Sequence, residues 1–212
     1  MTTPLRQSAK VKEFAGGEID STKTALFWLT ERLDTPESSF DDVKFTDNSW
    51  YKSHYVWNGN NLSELTRVGE RQANSGKLVP YQVTLRFSSV GEAVYQRQDI
   101  NGKVMPMRSE QISRVKAQAD ELISIGKSQQ KQGLKLIQGY WHQGNFTTCT
   151  GDEYSNIEFK KALPQAVVER LKHEENFAAF MGEYRAKKLV VDQILLLKEG
   201  DFRCIERPNV PS

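Results

Sequence analysis

The sequence predicts an antiparallel α+β fold: a hairpin-rich curved sheet or partial β-barrel with two helices packed on it. Three observations predict it. Apolar and aromatic segments of strand length recur along the chain. Several adjoin the dipeptides Asn58-Gly59, Asn101-Gly102, Gly144-Asn145 and Gly200-Asp201, whose residue types accept the positive φ of tight hairpin turns. Helical periodicity is confined to two stretches, so the strand-helix alternation of a doubly wound parallel sheet is missing.

Each element follows from local chemistry. Residues 1–22 read as a flexible leader or tether, because Pro4, Ser8, Gly16, Gly17 and Ser21 break any period. A single α+β domain is expected over residues 23–212. "TALFWLTERL" is a strand. The polar run after it, with Pro36, reads as a loop with a short strand at 43–45. "WYKSHYVWNGNNLSEL" is a hairpin around Asn58-Gly59. "YQVTLRF" alternates, with Val83, Leu85 and Phe87 on one face and Thr84 and Arg86 on the other. The chain turns at Gly91 and returns over 93–98.

Then the period changes. Ser109 has the chemistry of an N-cap, and Ile112, Val115, Ala119, Leu122 and Gly126 follow at helical spacing. A helix over roughly 110–130, stopped by Gly133, is expected to cover one face of the sheet. "LKLIQGYWHQ" and "NFTTC" form the next hairpin. Pro164 opens a second helix with Leu163, Val167, Val168 and Leu171 on one side, and "ENFAAFM" extends it past a bend near His173 to Gly182. Two last strands are expected around Gly200-Asp201, the second carrying Cys204.

Composition narrows the function classes. Among 212 residues, 29 basic and 27 acidic side chains are interleaved, and the densest basic cluster is only Arg185, Lys187 and Lys188, so nucleic acid is not expected as a partner. No apolar run reaches the length of a membrane-spanning helix. The N-terminus lacks the apolar core of a signal peptide, which fits either a cytoplasmic protein or the mature part of an exported one. Cys149 and Cys204 sit in no CxxC pattern. If paired, they close a loop of about 56 residues, for which loop entropy gives about 4 kcal/mol. Two unrelated buried thiols are the other reading.

Motifs for chemistry are absent. There is no phosphate-cradling glycine loop, and "HEEN" lacks the second histidine of a zinc-protease helix. No catalytic residue, metal ligand or cofactor is expected. Zinc on His142, Cys149 and a carboxylate, or a Cys149–His142 nucleophile pair, are minor alternatives. The candidate binding residues are aromatic. In "WYKSHYVW", Tyr51, Ser53, Tyr55 and Trp57 share one strand face; Trp50, Lys52, His54 and Val56 share the other. Trp50, Tyr51, His54, Tyr55, Trp57, Tyr140, Trp141 and His142 form the candidate set, since Tyr and Trp combine large apolar area with a polar handle. Cross-strand packing is the bland alternative.

"VTLRF" followed by "VYQRQ", then "QGYWHQGNFTTCTG" and a late cysteine, resembles an uncharacterised family of gammaproteobacterial envelope lipoproteins found in enterobacteria and vibrios, a domain of unknown function. Val83 to Phe87, Gln96 to Gln98, Gly139, Trp141, His142 and Thr147 to Cys149 carry it. The resemblance implies a precursor acylated on a cysteine that this chain lacks, and exposure to the periplasm. It thereby favours a Cys149–Cys204 disulfide. It brings no activity, catalytic residue or ligand. The expectation is a non-enzymatic periplasmic lipoprotein domain that binds an envelope protein, lipid or peptidoglycan through an aromatic surface or groove. Any membrane contact would be through the lipid anchor. The alternative is an envelope hydrolase or metal-binding protein using His54 and His142 with carboxylates.

Overall fold

The computed structural model describes residues 10–173, 175–200 and 202–211, without the side chains at 172 and 173. Eight strands follow one another as an antiparallel meander: β1 (Val11–Ile19), β2 (Lys23–Arg32), β3 (Thr35–Phe45), β4 (Trp50–Asn58), β5 (Asn61–Gln72), β6 (Leu78–Phe87), β7 (Ala93–Ile100) and β8 (Lys103–Met105). Helix α1 (Ser109–Lys131) comes next. The chain continues through β9 (Lys135–His142), β10 (Asn145–Thr148), β11 (Glu153–Tyr154), β12 (Ile157–Phe159), α2 (Gln165–His173), β13 (Asn176–Arg185) and β14 (Lys188–Glu199). The later strands form a six-stranded sheet in the order β11-β10-β9-β13-β14-β12, antiparallel except for β12 beside β14.

The first sheet curls into a half-barrel around α1. Strand alternation turns Phe27, Tyr55, Leu65, Val83 and Leu85 inward, where Val115, Ala119 and Leu122 of the helix fill the concavity. The helix therefore uses the apolar stripe that its spacing predicts. Its first turn is capped differently from expectation. Ser109 is the first helical residue, and the Gln111 side-chain oxygen accepts the Arg108 backbone N–H at 2.8 Å. Gly133 ends the helix with a φ of 72°.

The opposite face of the same sheet carries the second one. Leu26 of β2 packs with Leu134, Met181 and Leu195, so β1 and β2 lie between α1 on one side and the six-stranded sheet on the other. This corrects the leader expectation for part of its length. Val11–Ile19 pairs with β2 throughout, and only residues 1–9 of the expected leader lie outside the described residues. The glycines that disguised the strand make it fit. A Cβ on Gly16 would fall 2.4 Å from Gln129 Oε1 on the helix side, and one on Gly17 would fall 2.4 Å from Leu195 Cδ1 and 2.9 Å from the Ala25 carbonyl oxygen. Gln129 Nε2 donates to the Gly17 carbonyl at 2.7 Å. Replacing Gly17 with Val forces these layers apart, and a loss of about 1–3 kcal/mol is expected from overpacking. A urea unfolding midpoint unchanged from the parent would contradict this placement of β1.

Three further expectations are corrected. The polar run after Asp34 is not mainly loop: β3 spans Thr35–Phe45, and its inward polar groups Ser39 and Asp41 accept hydrogen bonds from Trp57 and Tyr55 inside the half-barrel. Residues 176–185 do not continue the second helix. They form β13, central in its sheet, with Phe177 to Met181 buried in succession. A strand covered on both faces loses its alternation and cannot be told from a buried helix by pattern. The last hairpin turns at Ala186, with a φ of 53°, and pairs β13 with β14. Cys204 lies in the segment after β14, without strand structure, while Asp201 of the expected turn lies outside the described residues. Two other hairpins are displaced by one residue: Asn58 pairs with Asn61, and His142 pairs with Asn145 across Gln143-Gly144, both at positive φ.

Candidate functional site

Inside the half-barrel, β3, β4 and β5 place side chains across from one another through register. Ser53 pairs with Asp41 on one side and Arg67 on the other, and Tyr51 pairs with Gly69. These inward positions are filled by a polar network rather than by apolar groups. Arg67, 5% exposed, donates from Nε to Ser53 Oγ at 2.8 Å, from Nη2 to the Tyr55 hydroxyl at 3.0 Å, and from Nη1 to Gln118 Oε1 of α1 at 3.1 Å. Its guanidinium carbon lies 3.8 Å from the centre of the Tyr51 ring. Tyr55 passes the chain on, donating to Asp41 Oδ2 at 2.7 Å. Nearby, Trp57 Nε1 donates to Ser39 Oγ at 2.9 Å.

Burial raises the Asp41 carboxyl above the usual range, although Arg67 and the Tyr55 hydrogen bond pull against it. Burial likewise pushes the hydroxyls of Tyr51, Tyr55 and Tyr81 up, so all three are neutral. Burial disfavours the Arg67 cation, but Tyr55, Tyr51 and Asp41 outweigh it and keep the guanidinium charged. The half-barrel thus holds a fixed positive charge in an aromatic box, with the Asp41 carboxyl one hydroxyl away.

The candidate aromatics of β4 divide as their alternation predicts. Tyr51, Tyr55 and Trp57 point into the half-barrel and are buried. His54 is on the outer face, stacked on Phe40 with ring centres 4.2 Å apart, and burial lowers its pKa. Trp50 is half-buried, and its Nε1 donates to Glu70 Oε2 at 2.8 Å.

Tyr140, Trp141 and His142 belong to the other sheet. Tyr140 is partly exposed, edge-on to Phe177, with its hydroxyl 3.8 Å from Cys204 Sγ. His142 is exposed and its Nδ1 lies 2.8 Å from Glu175 Oε1. Trp141 is buried against Phe146 and Phe159. The eight candidates therefore make two regions and not one surface, and His54 and His142 are carried by different sheets. Among the described residues no group of three His, Cys, Asp or Glu side chains is arranged to hold a metal ion.

Trp141 opens onto a groove that its own sequence context does not reveal. Ile157 and Phe159 of β12, Leu163 before α2, and Val168 and Leu171 of α2 line a depression of about 540 Å³ with it. Its polar members are Glu158, which pairs with Lys188, and Lys161, which makes no ion pair among the described residues. That volume is within the ~300–1,000 Å³ of small-ligand sites.

Cys149 and Cys204 are joined, with Cα atoms 6.1 Å apart. The bond fastens the end of the β9–β10 hairpin to the segment after β14. That segment then crosses to the first sheet: Gln138 exchanges two 2.8 Å hydrogen bonds with the Ile205 backbone, and Arg207 reaches the Phe40 ring.

Fold and sites together define a two-sheet α+β domain, disulfide-stapled, with a helix-filled half-barrel and a separate apolar groove. The chain belongs to the family described as protein of unknown function (DUF1481), whose model matches residues 15–209. No curated protein and no solved structure matches it.

Proposed function

We propose that this is a non-catalytic binding domain of the bacterial periplasm, carried on a lipid anchor, whose groove beside Trp141 takes the aliphatic chain of a lipid. The groove carries the reading: a depression of about 540 Å³ with a mostly apolar lining is matched by burial of methylenes, each worth about 0.8 kcal/mol. Lys161, unpaired among the described residues, suits an anionic headgroup at the rim. The disulfide supports an oxidising compartment, and the resemblance to envelope lipoproteins supports the anchor. The concave face of the half-barrel is a weaker place for a lipid, since α1 already fills its apolar part.

The test uses Trp141 as its reporter. A brominated long-chain fatty acid is expected to quench tryptophan fluorescence saturably, and Val168→Arg, at the half-buried groove wall, is expected to weaken that binding at least tenfold without changing the far-UV spectrum. Quenching that is absent, or equal in parent and variant, would reject the lipid reading.

A further inference from the structure

A second cavity lies where the half-barrel meets the first half of α1, on the other sheet from the groove and independent of it. It encloses about 380 Å³ and opens to solvent. Its walls include Trp50, Tyr51 and Tyr81, and Arg67 contributes the buried charge. Two more arginines line it from different elements: Arg71 from the end of β5 and Arg114 from α1. Both are exposed, and neither makes an ion pair among the described residues. Among the described residues Glu70 is the lone carboxylate of the lining, and its Oε2 is engaged by Trp50 Nε1 at 2.8 Å.

Three arginines facing one carboxylate need an explanation. Arg67 has a structural one, since Asp41 lies beyond Tyr55. Arg71 and Arg114 have none: a strand end and a helix bring both to the lining of one cavity. A guanidinium presents planar, paired N–H donors that match carboxylate and phosphate oxygens. The aromatic walls offer flat faces to a ring. We infer that this cavity binds a small organic anion, a phosphate or carboxylate borne on a ring, with Arg71 and Arg114 on the oxygens and the ring against Tyr51 and Tyr81. Arg67 acts as a positioning residue, holding Tyr51 flat and adding positive potential at the floor without leaving its own partners.

The experiment is calorimetric titration of the folded chain with inorganic phosphate, phenyl phosphate and benzoate at low salt. Phenyl phosphate or benzoate is expected to bind at least tenfold more tightly than inorganic phosphate, and the better of the two identifies the anionic group. Arg71→Gln with Arg114→Gln is expected to weaken that binding at least tenfold. Both residues are exposed, so the fold is expected to survive. Arg97→Gln with Arg203→Gln removes the same charge elsewhere on the exposed surface and is expected to change binding less than twofold. Tyr81→Leu is expected to reduce the preference for the ring-bearing anion over inorganic phosphate. Equal losses in the two arginine pairs would mean unspecific charge attraction and overturn the site. So would the absence of saturable binding by any of the three probes at millimolar concentration.

Discussion

Arg67→Met is expected to destabilise the protein by about 2–5 kcal/mol, because it strips one charged donor group from a buried hydrogen-bonded network. The substitution removes three donors to Ser53, Tyr55 and Gln118 and leaves Asp41 buried without its cation. The pH dependence identifies the cause. Asp41 already has a raised pKa in the folded protein, so the folded state holds its proton more tightly than the unfolded chain does. Such a carboxyl contributes stability below its unfolded pKa, and that contribution is lost as pH rises through the folded value. Without Arg67, the attraction that lowers the folded pKa is gone, and the value rises further. The deficit of the variant is therefore largest at neutral pH and shrinks as pH falls below the parent's raised folded value, where Asp41 is protonated in both folded proteins. Adding Asp41→Asn to Arg67→Met is expected to recover much of the loss at neutral pH, because no uncompensated charge stays buried. Urea unfolding at several pH values reads all of this. A deficit that is constant with pH, or a double variant as unstable as the single one, would show that Arg67 acts through packing alone.

How much of this was legible depends on the physics of each element. Alternation on β4 put Tyr51, Ser53, Tyr55 and Trp57 on one face, because a strand half-covered by a helix shows its period, but aromatics on both faces left the buried one unassigned. The spacing from Ile112 to Gly126 placed α1 for the same reason. β1 was hidden because its fit depends on glycines, which look like loop residues until two neighbouring layers are known. β13 was hidden because burial on both faces erases the pattern. Arg67 carried no signal of its own in the sequence. The available clue was its position two residues after Leu65, which puts both on one face, but an inward arginine is believable only when Asp41 and Tyr55 are seen across the sheet. The groove beside Trp141 was beyond reach, since β9, β12 and α2 are separated in sequence and meet only through packing. The two cysteines were visible, but their pairing rested on the resemblance. A final strand was the imagined means, whereas an irregular segment brings Cys204 home.

Reducing or removing the disulfide is expected to cost about 4 kcal/mol, the loop-closure entropy for cysteines 55 residues apart. Most of that cost falls on the unfolded chain, which regains freedom. The native segment has other ties: Phe202 packs on Phe177 with ring centres 5.1 Å apart, Ile205 is clamped by Gln138, and Val210 is buried. Cys149→Ser with Cys204→Ser is therefore expected to keep the native near-UV spectrum while its urea midpoint falls. Hydrogen exchange separates the covalent tie from the local ones. The Ile205 amide, bonded to Gln138 Oε1, is expected to stay measurably protected in the double serine variant and to lose that protection when Gln138→Ala is added. If the segment detaches as soon as the cysteines are gone, the bond acts on the native state and the entropic account fails. If the double serine variant matches the oxidised parent in stability, or protein folded under oxidising conditions yields two titratable thiols, the staple itself is refuted, and with it the main structural support for a periplasmic home.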